Sequence, residues 1–208
     1  MSDDIKIKKC MYVDLSNIYG GIVELFDSGV YIDFSTLMPL LDDAFQGIDM
    51  FKVYGAYMGT EGLKGKDYEK AKAQNEFFNS AKLDGVYFGL GNIRNKQEKG
   101  VDMQIGVDMV NDAHKNTYTD YILFSGDADF NYPVSLIKEM GKNFHYCAFA
   151  NRFSRHFVSQ AWKKVVIDYN KYFTNNVAPN TRLPSKLVVE DIYSSKTVKM
   201  KSIDDFGR

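Results

Sequence analysis

Asp127 and Asp129 stand one residue apart in Phe124-Ser125-Gly126-Asp127-Ala128-Asp129-Phe130, directly after the apolar run Tyr121-Ile122-Leu123-Phe124. A short apolar run of this kind predicts a buried strand, so both carboxylates fall at a strand's carboxyl end. In an α/β sheet those ends open onto the crevice where ligands bind. Asp14 closes a second such run, Cys10-Met11-Tyr12-Val13, and is followed by Leu15-Ser16-Asn17 at the entrance to a helix. Asp102 follows Lys99-Gly100-Val101, where Gly100 supplies a turn and Asp102 falls in a first helical turn, at the positive end of the dipole.

If the strands are neighbours, Asp14, Asp102, Asp127 and Asp129 are expected to converge, and their repulsion would raise their pKa values or strain the fold. A divalent cation relieves that strain. An all-oxygen set favours Mg²⁺ or Mn²⁺, which keep several waters and accept phosphate oxygens. Each acid also has a structural use, as a helix N-cap for Asp14, Asp127 and Asp129 or as a dipole complement for Asp102. Asp108 lies about 240° around and about 9 Å along the helix from Asp102. It is expected to be a supporting or buried hydrogen-bonded acid.

The elements that must position these groups alternate between apolar runs and helix-period segments, the pattern of βα units. Strands are expected over 9–14, 50–58, 86–89, 121–125, 143–149 and 165–169, and helices over 18–26, 34–45, 66–83, 101–115, 130–140 and 154–162. The fold class is therefore α/β, a three-layer α/β/α sandwich on a mainly parallel sheet. With 208 residues, one domain over 1–173 is expected, followed by a tail or small appendage over 174–208. That tail opens on the linker-like Thr174-Asn175-Asn176-Val177-Ala178-Pro179-Asn180 and carries one apolar stretch, Leu187-Val188-Val189. The start, Met1-Ser2-Asp3-Asp4-Ile5-Lys6, has no apolar leader, and no run is long enough to span a membrane. A soluble cytoplasmic protein is the expectation, with Cys10 and Cys147 as buried free thiols.

The net charge of −1 hides a polarity. Residues 1–139 hold 14 Lys+Arg against 22 Asp+Glu, and residues 140–208 hold 12 against 5. No acid occurs from Met140 to Ile167, a stretch that contains Lys142, Arg152, Arg155, Lys163 and Lys164. A basic flank beside an acidic cluster suits a polyanion bridged by metal ions, although a solvated helix face gives the same composition.

The combination Val13-Asp14-Leu15-Ser16-Asn17, Lys99-Gly100-Val101-Asp102-Met103 with Asp108-Met109, and Ser125-Gly126-Asp127-Ala128-Asp129-Phe130 with Gly141-Lys142 resembles the NYN domain of the PIN-like nuclease superfamily. The bacterial LabA-like branch is the most similar, over roughly residues 9–169. The resemblance implies a Rossmannoid fold and a metal-dependent ribonuclease that hydrolyses RNA phosphodiester bonds. It places Asp14, Asp102, Asp127 and Asp129 at the metal-binding catalytic positions, Asn17 at the amide beside them and Ser125 at the hydroxyl before the last acidic pair. Lys99 and Asp108 fall on further motif positions. Where family members often carry an Asp after the last helix, this chain has Ala161-Trp162-Lys163-Lys164.

Arg94, Lys96, Arg152 and Arg155 are the candidates for holding an RNA backbone, with Tyr19 or Phe153 for stacking on bases. A homodimer is plausible for a small nuclease of this kind. Other readings compete. A haloacid-dehalogenase-like phosphatase needs a second Asp two residues after Asp14, and Ser16 stands there. Gly89-Leu90-Gly91-Asn92-Ile93-Arg94 imitates a dinucleotide fingerprint but has Arg94 in place of its third glycine. The remaining alternative is a catalytically weak or inactive module that binds RNA or a protein partner in a regulatory role.

Overall fold

The computed structural model describes residues 8–25, 34–94, 97–149, 151–167 and 189–190. The chain runs β1 (Lys9–Asp14), α1 (Leu15–Leu25), α2 (Phe34–Phe45), β2 (Met50–Gly55), α3 (Gly65–Ser80) and β3 (Val86–Leu90). It continues through β4 (Asn92–Arg94), β5 (Gln97–Lys99), α4 (Val101–His114), β6 (Asp120–Phe124) and a 3-10 turn (Ala128–Phe130). The last elements are α5 (Asn131–Glu139), β7 (Asn143–Phe149), α6 (Arg155–Gln160), β8 (Lys163–Ile167) and β9 (Val189–Glu190).

The main sheet has the order β3-β2-β1-β6-β7-β8-β9, parallel throughout except for the antiparallel edge strand β9. Its strands are buried on both faces, so they read as continuous apolar runs rather than alternating ones, as in β1 and β6. Met11, Val13, Ile122 and Phe124 face α1, α2 and α3 in one core. Cys10, Tyr12, Tyr121 and Leu123 face α4, α5 and α6 in the other. The expected three-layer α/β/α fold is therefore present. Strand order reverses between β1 and β6, and such switch points are where open α/β sheets bind their ligands.

The six expected strands all form, with shifted ends. β2 stops at Gly55 instead of running to 58, because the Asn75 side chain takes over the backbone N–H and C=O of Met58 at 2.9 Å each. β8 begins two residues early, at Lys163, and position 169 lies outside the described residues. α1 begins at Leu15, ahead of the expected 18, because Asp14 caps it: the Asn17 N–H donates to Asp14 Oδ1 at 3.0 Å. The hairpin of β4 and β5 was not anticipated, since strands of three residues are too short to show alternation. The linker 174–180 lies outside the described residues, but Val189 and Glu190 pair with β8, so part of the apolar stretch adds a strand to the sheet edge.

Cys10 and Cys147 are free and fully buried, and burial pushes the Cys10 thiol up to about 12, which keeps it inert. Among the described residues no helix is long and apolar enough to cross a membrane.

One buried pair gives the fold a pH dependence. His145 Nε2 lies 2.7 Å from Asp120 Oδ1, while Nδ1 has no partner among the described residues. The neutral Nε2–H tautomer satisfies that geometry, whereas an imidazolium would bury an unpaired donor. Desolvation holds the His145 pKa below its usual 6.5, aided by Lys9 and Lys163 and opposed by Asp120. Below 6.5 the unfolded chain takes up a proton that the folded one resists, so stability is complete above that pH and declines as pH falls through the folded value. Urea melts between pH 7 and 5 should show this decline, and His145→Asn should flatten it; an unchanged slope would assign the dependence to other groups.

Candidate functional site

The reversal between β1 and β6 puts Asp14 beside Ser125, one step past the paired residues Val13 and Phe124. Asp14 is 3% exposed, and its Oδ2 accepts from Ser125 Oγ at 2.9 Å while Oδ1 caps α1. Ser125 Oγ in turn accepts from the Asp127 N–H at 3.1 Å, and Asn17 Oδ1 accepts from the Gly126 N–H at 2.8 Å. The first helix and the turn after β6 are thereby stitched together around one buried carboxylate.

Gly126 allows that approach, since a Cβ there would stand 1.7 Å from the Arg152 carbonyl oxygen. Asp127 opens the 3-10 turn, and its Oδ1 accepts from the Asp129 N–H at 2.9 Å. The capping role is real, and it leaves Asp127 Oδ2 without a partner among the described residues.

Asp102 arrives from the other layer, in the first turn of α4 behind Gly100, whose φ of 84° is the left-handed conformation that suits glycine. Its pKa is raised, first by partial desolvation and then by the negative charges of Asp127 and Asp129. Three carboxylates from two elements thus bear on one another at the sheet's switch point.

Asp14 is linked to the turn that carries Asp127 through Ser125. Among the described residues no three acids, histidines or cysteines close into a ready-made metal cage. The expected convergence of four acids into one tight group is not seen among the described residues. The oxygen-only donor set nevertheless fits Mg²⁺ or Mn²⁺, which need only one or two carboxylates and retain their waters.

Metal-free, the three exposed or half-buried acids impose a cost that is small because solvent screens it. The sign is definite: a carboxyl raised in the folded state penalises folding once pH exceeds its unfolded value. Asp102→Asn should therefore raise the melting temperature without divalent cation. If the acids hold Mn²⁺, the same substitution should remove most of the stabilisation, about 1.4 kcal/mol, expected for wild type at ten times the Kd. A lower metal-free melting temperature would make Asp102 a structural acid.

The supporting acids divide differently. Asp108 accepts from the buried Tyr54 hydroxyl at 2.7 Å, which ties α4 to β2. Asp112, not singled out by sequence, accepts from Tyr12 at 2.5 Å and from Lys52 at 2.6 Å. Tyr12 and Lys52 are cross-strand partners, so the i, i+4 acids of α4 lock its register on β1 and β2 and hence the height of Asp102. Their spacing on one helix was the available signal.

The basic candidates are mostly engaged. Arg152 is held bidentately by Glu24, at 2.9 Å through Nε and through a second, shorter contact from Nη2, and it reaches the Asn17 carbonyl at 3.3 Å. The Glu24 carboxylate raises the Arg152 pKa further and is itself held low by the guanidinium. Lys163 and Lys164 donate to the carbonyls of Ala44 and Val158, and Lys142 to Asn116 at 2.8 Å. Arg155 is exposed at the start of α6. Only the backbones of Arg94 and Lys99 are described, with Arg94 on β4 instead of in a loop, and Lys96 lies outside the described residues. Tyr19 packs against Phe77 in the core, and Phe153 remains partly exposed.

A doubly wound parallel sheet with carboxylates at its switch point defines a Rossmannoid domain. The NYN domain model matches residues 8–168, and the chain belongs to the NYN domain family. The fold is similar to the crystal structure of VPA0982, a protein of unknown function from Vibrio parahaemolyticus RIMD 2210633, with a TM-score of 0.57. That match has 22% identity and covers 82% of this chain and 98% of the other, a likeness of fold alone. No curated protein matches the chain.

Proposed function

We propose that this chain is a metal-dependent ribonuclease of the LabA-like branch of NYN domains, acting in the cytoplasm. The observation that carries the reading is the placement of Asp102, Asp127 and Asp129 near the switch point between β1 and β6, where burial and the charges of the other two raise the Asp102 pKa. Mg²⁺ or Mn²⁺ would be held by these acids with Asp14 behind them. Such an ion supplies a lowered pKa for an attacking water and charge neutralisation at a phosphodiester. The chain itself supplies orientation. Ser125 fixes the Asp127 backbone, Asn17 fixes Gly126, and Tyr54 with Asp108 sets the height of α4. Exposed Arg155 is suited to an RNA phosphate, and Arg152 acts by pinning the following loop to α1.

A second reading is an RNA- or protein-binding module without turnover. It is favoured by the lack of a closed cage of three ligands among the described residues. Cleavage of an end-labelled single-stranded RNA by wild type and Asp127→Asn in Mn²⁺, with a chelator control, separates the two. Cutting by wild type alone, abolished by chelator, supports the nuclease. RNA retained by both proteins and cut by neither moves the weight to the binding module.

A further inference from the structure

Between α4 and α5 runs a groove of about 740 Å³, within the roughly 300–1,000 Å³ of ordinary ligand sites. Asp102 and Asp129 form part of its lining, so the groove and the acidic cluster are one concavity. Its walls are apolar and wet: Tyr132 is 71% exposed, Met103 70% and Val107 56%. Apolar side chains concentrated in this way around one slot mark a binding surface. Its floor is set where α4 and α5 nearly touch, since a Cβ on Gly106 would meet Pro133 Cγ at 2.9 Å. Asn111 and His114 line it further along α4, so from Asp102 to His114 it follows about 18 Å of helix.

We propose that this groove binds unpaired bases of the strand whose phosphate lies at Asp102 and Asp129, with Tyr132 as the stacking platform. The proposal rests on the reading of the acidic cluster as a nucleic-acid site. Chemistry selects the occupant. An apolar protein surface laid over the groove would desolvate two neighbouring carboxylates without pairing them. A polynucleotide arrives with cations condensed on its phosphates and offers planar faces to Tyr132 and Met103. Asn111 can both donate to and accept from a base edge. In a duplex the bases are stacked away from such a slot, so the groove selects single strands.

The test is binding of a fluorescent single-stranded RNA ten nucleotides long and of an abasic oligomer of the same length. Wild type, Tyr132→Ala and Tyr132→Trp are compared in Ca²⁺ to suppress cutting, with 4-thiouridine crosslinks mapped by mass spectrometry. Wild type should prefer the base-bearing strand and crosslink to peptides of α4 and α5. Tyr132→Ala should bind it roughly 5- to 150-fold more weakly, the effect of one lost base–aromatic stack, and Tyr132→Trp should restore it. Equal binding of both oligomers, unchanged by Tyr132→Ala, overturns the base groove and leaves the nucleic-acid reading standing. Binding of neither oligomer overturns both. A dimer in sedimentation that Tyr132→Ala dissociates would assign the groove to self-association and overturn the proposal.

Discussion

Gly126→Ala should cost at least about 3 kcal/mol of stability, which for a chain of this length is a fall in melting temperature of about 6–12 °C. The added methyl would sit 1.7 Å from the Arg152 carbonyl oxygen and 2.7 Å from its carbon, so a backbone has to move. Both sides are anchored. The Gly126 N–H is held by Asn17, and the Arg152 segment is tied to α1 by Glu24 and by the Asn151 bond to the Gly21 carbonyl at 3.0 Å.

Gly20→Ala is the control. Its methyl would meet Arg152 too, at 2.7 Å, but the atoms concerned are the end of a flexible guanidinium. The helix propensity gained, up to about 1 kcal/mol, offsets that displacement, so Gly20→Ala should be close to neutral. Chemical denaturation of both variants checks this pair. If Gly126→Ala melts like Gly20→Ala, the turn after β6 is softer than its contacts indicate.

The fold was legible because its signals are local and repeated. A parallel sheet buried on both faces writes each strand as an apolar run, and β1, β6 and β7 were bounded to within a residue for that reason. What failed was set by side chains outside the element concerned. The end of β2 depends on Asn75, and the early start of α1 depends on Asp14 being strand terminus and helix cap at once.

The site shows the same division. Which acids lie at strand ends and a helix start follows from short-range pattern, and the charges of Asp127 and Asp129 contribute to the raised pKa of Asp102. That Asp14 is bonded by Ser125, or that Arg152 is spent on Glu24, follows from neighbours more than 100 positions away. Lys52, Tyr12 and Asp112 escaped for the same reason. A lysine in a strand and a third acid on a helix look like surface until the sheet brings them together.

On the proposed reading both Asp14 and Asp127 serve cleavage, yet the two are expected to separate under substitution. Asp14→Ala orphans the Asn17 N–H and the Ser125 hydroxyl in a place that is 3% exposed. Each unsatisfied donor costs about 1–3 kcal/mol, so the variant should lose roughly 2–6 kcal/mol and melt on the order of 10 °C lower. Asp14→Asn keeps one acceptor and should fall between. Asp127 is half-buried and its one recorded bond is a cap, which asparagine makes as well. Asp127→Asn should stay within about 0.5 kcal/mol of wild type.

On the proposed reading, cleavage should drop roughly 10- to 100-fold in Asp14→Ala, the cost of losing a metal ligand's supporting partner, and at least as far in Asp127→Asn. Melting curves and initial rates on the same preparations decide the matter. A stable Asp127→Asn without activity and an unstable Asp14→Ala without activity would divide the pair into a carboxylate that serves the reaction and one that builds its platform. Equal destabilisation by both would mean that Asp127 is also structural, and that its loss of cleavage says nothing about a metal.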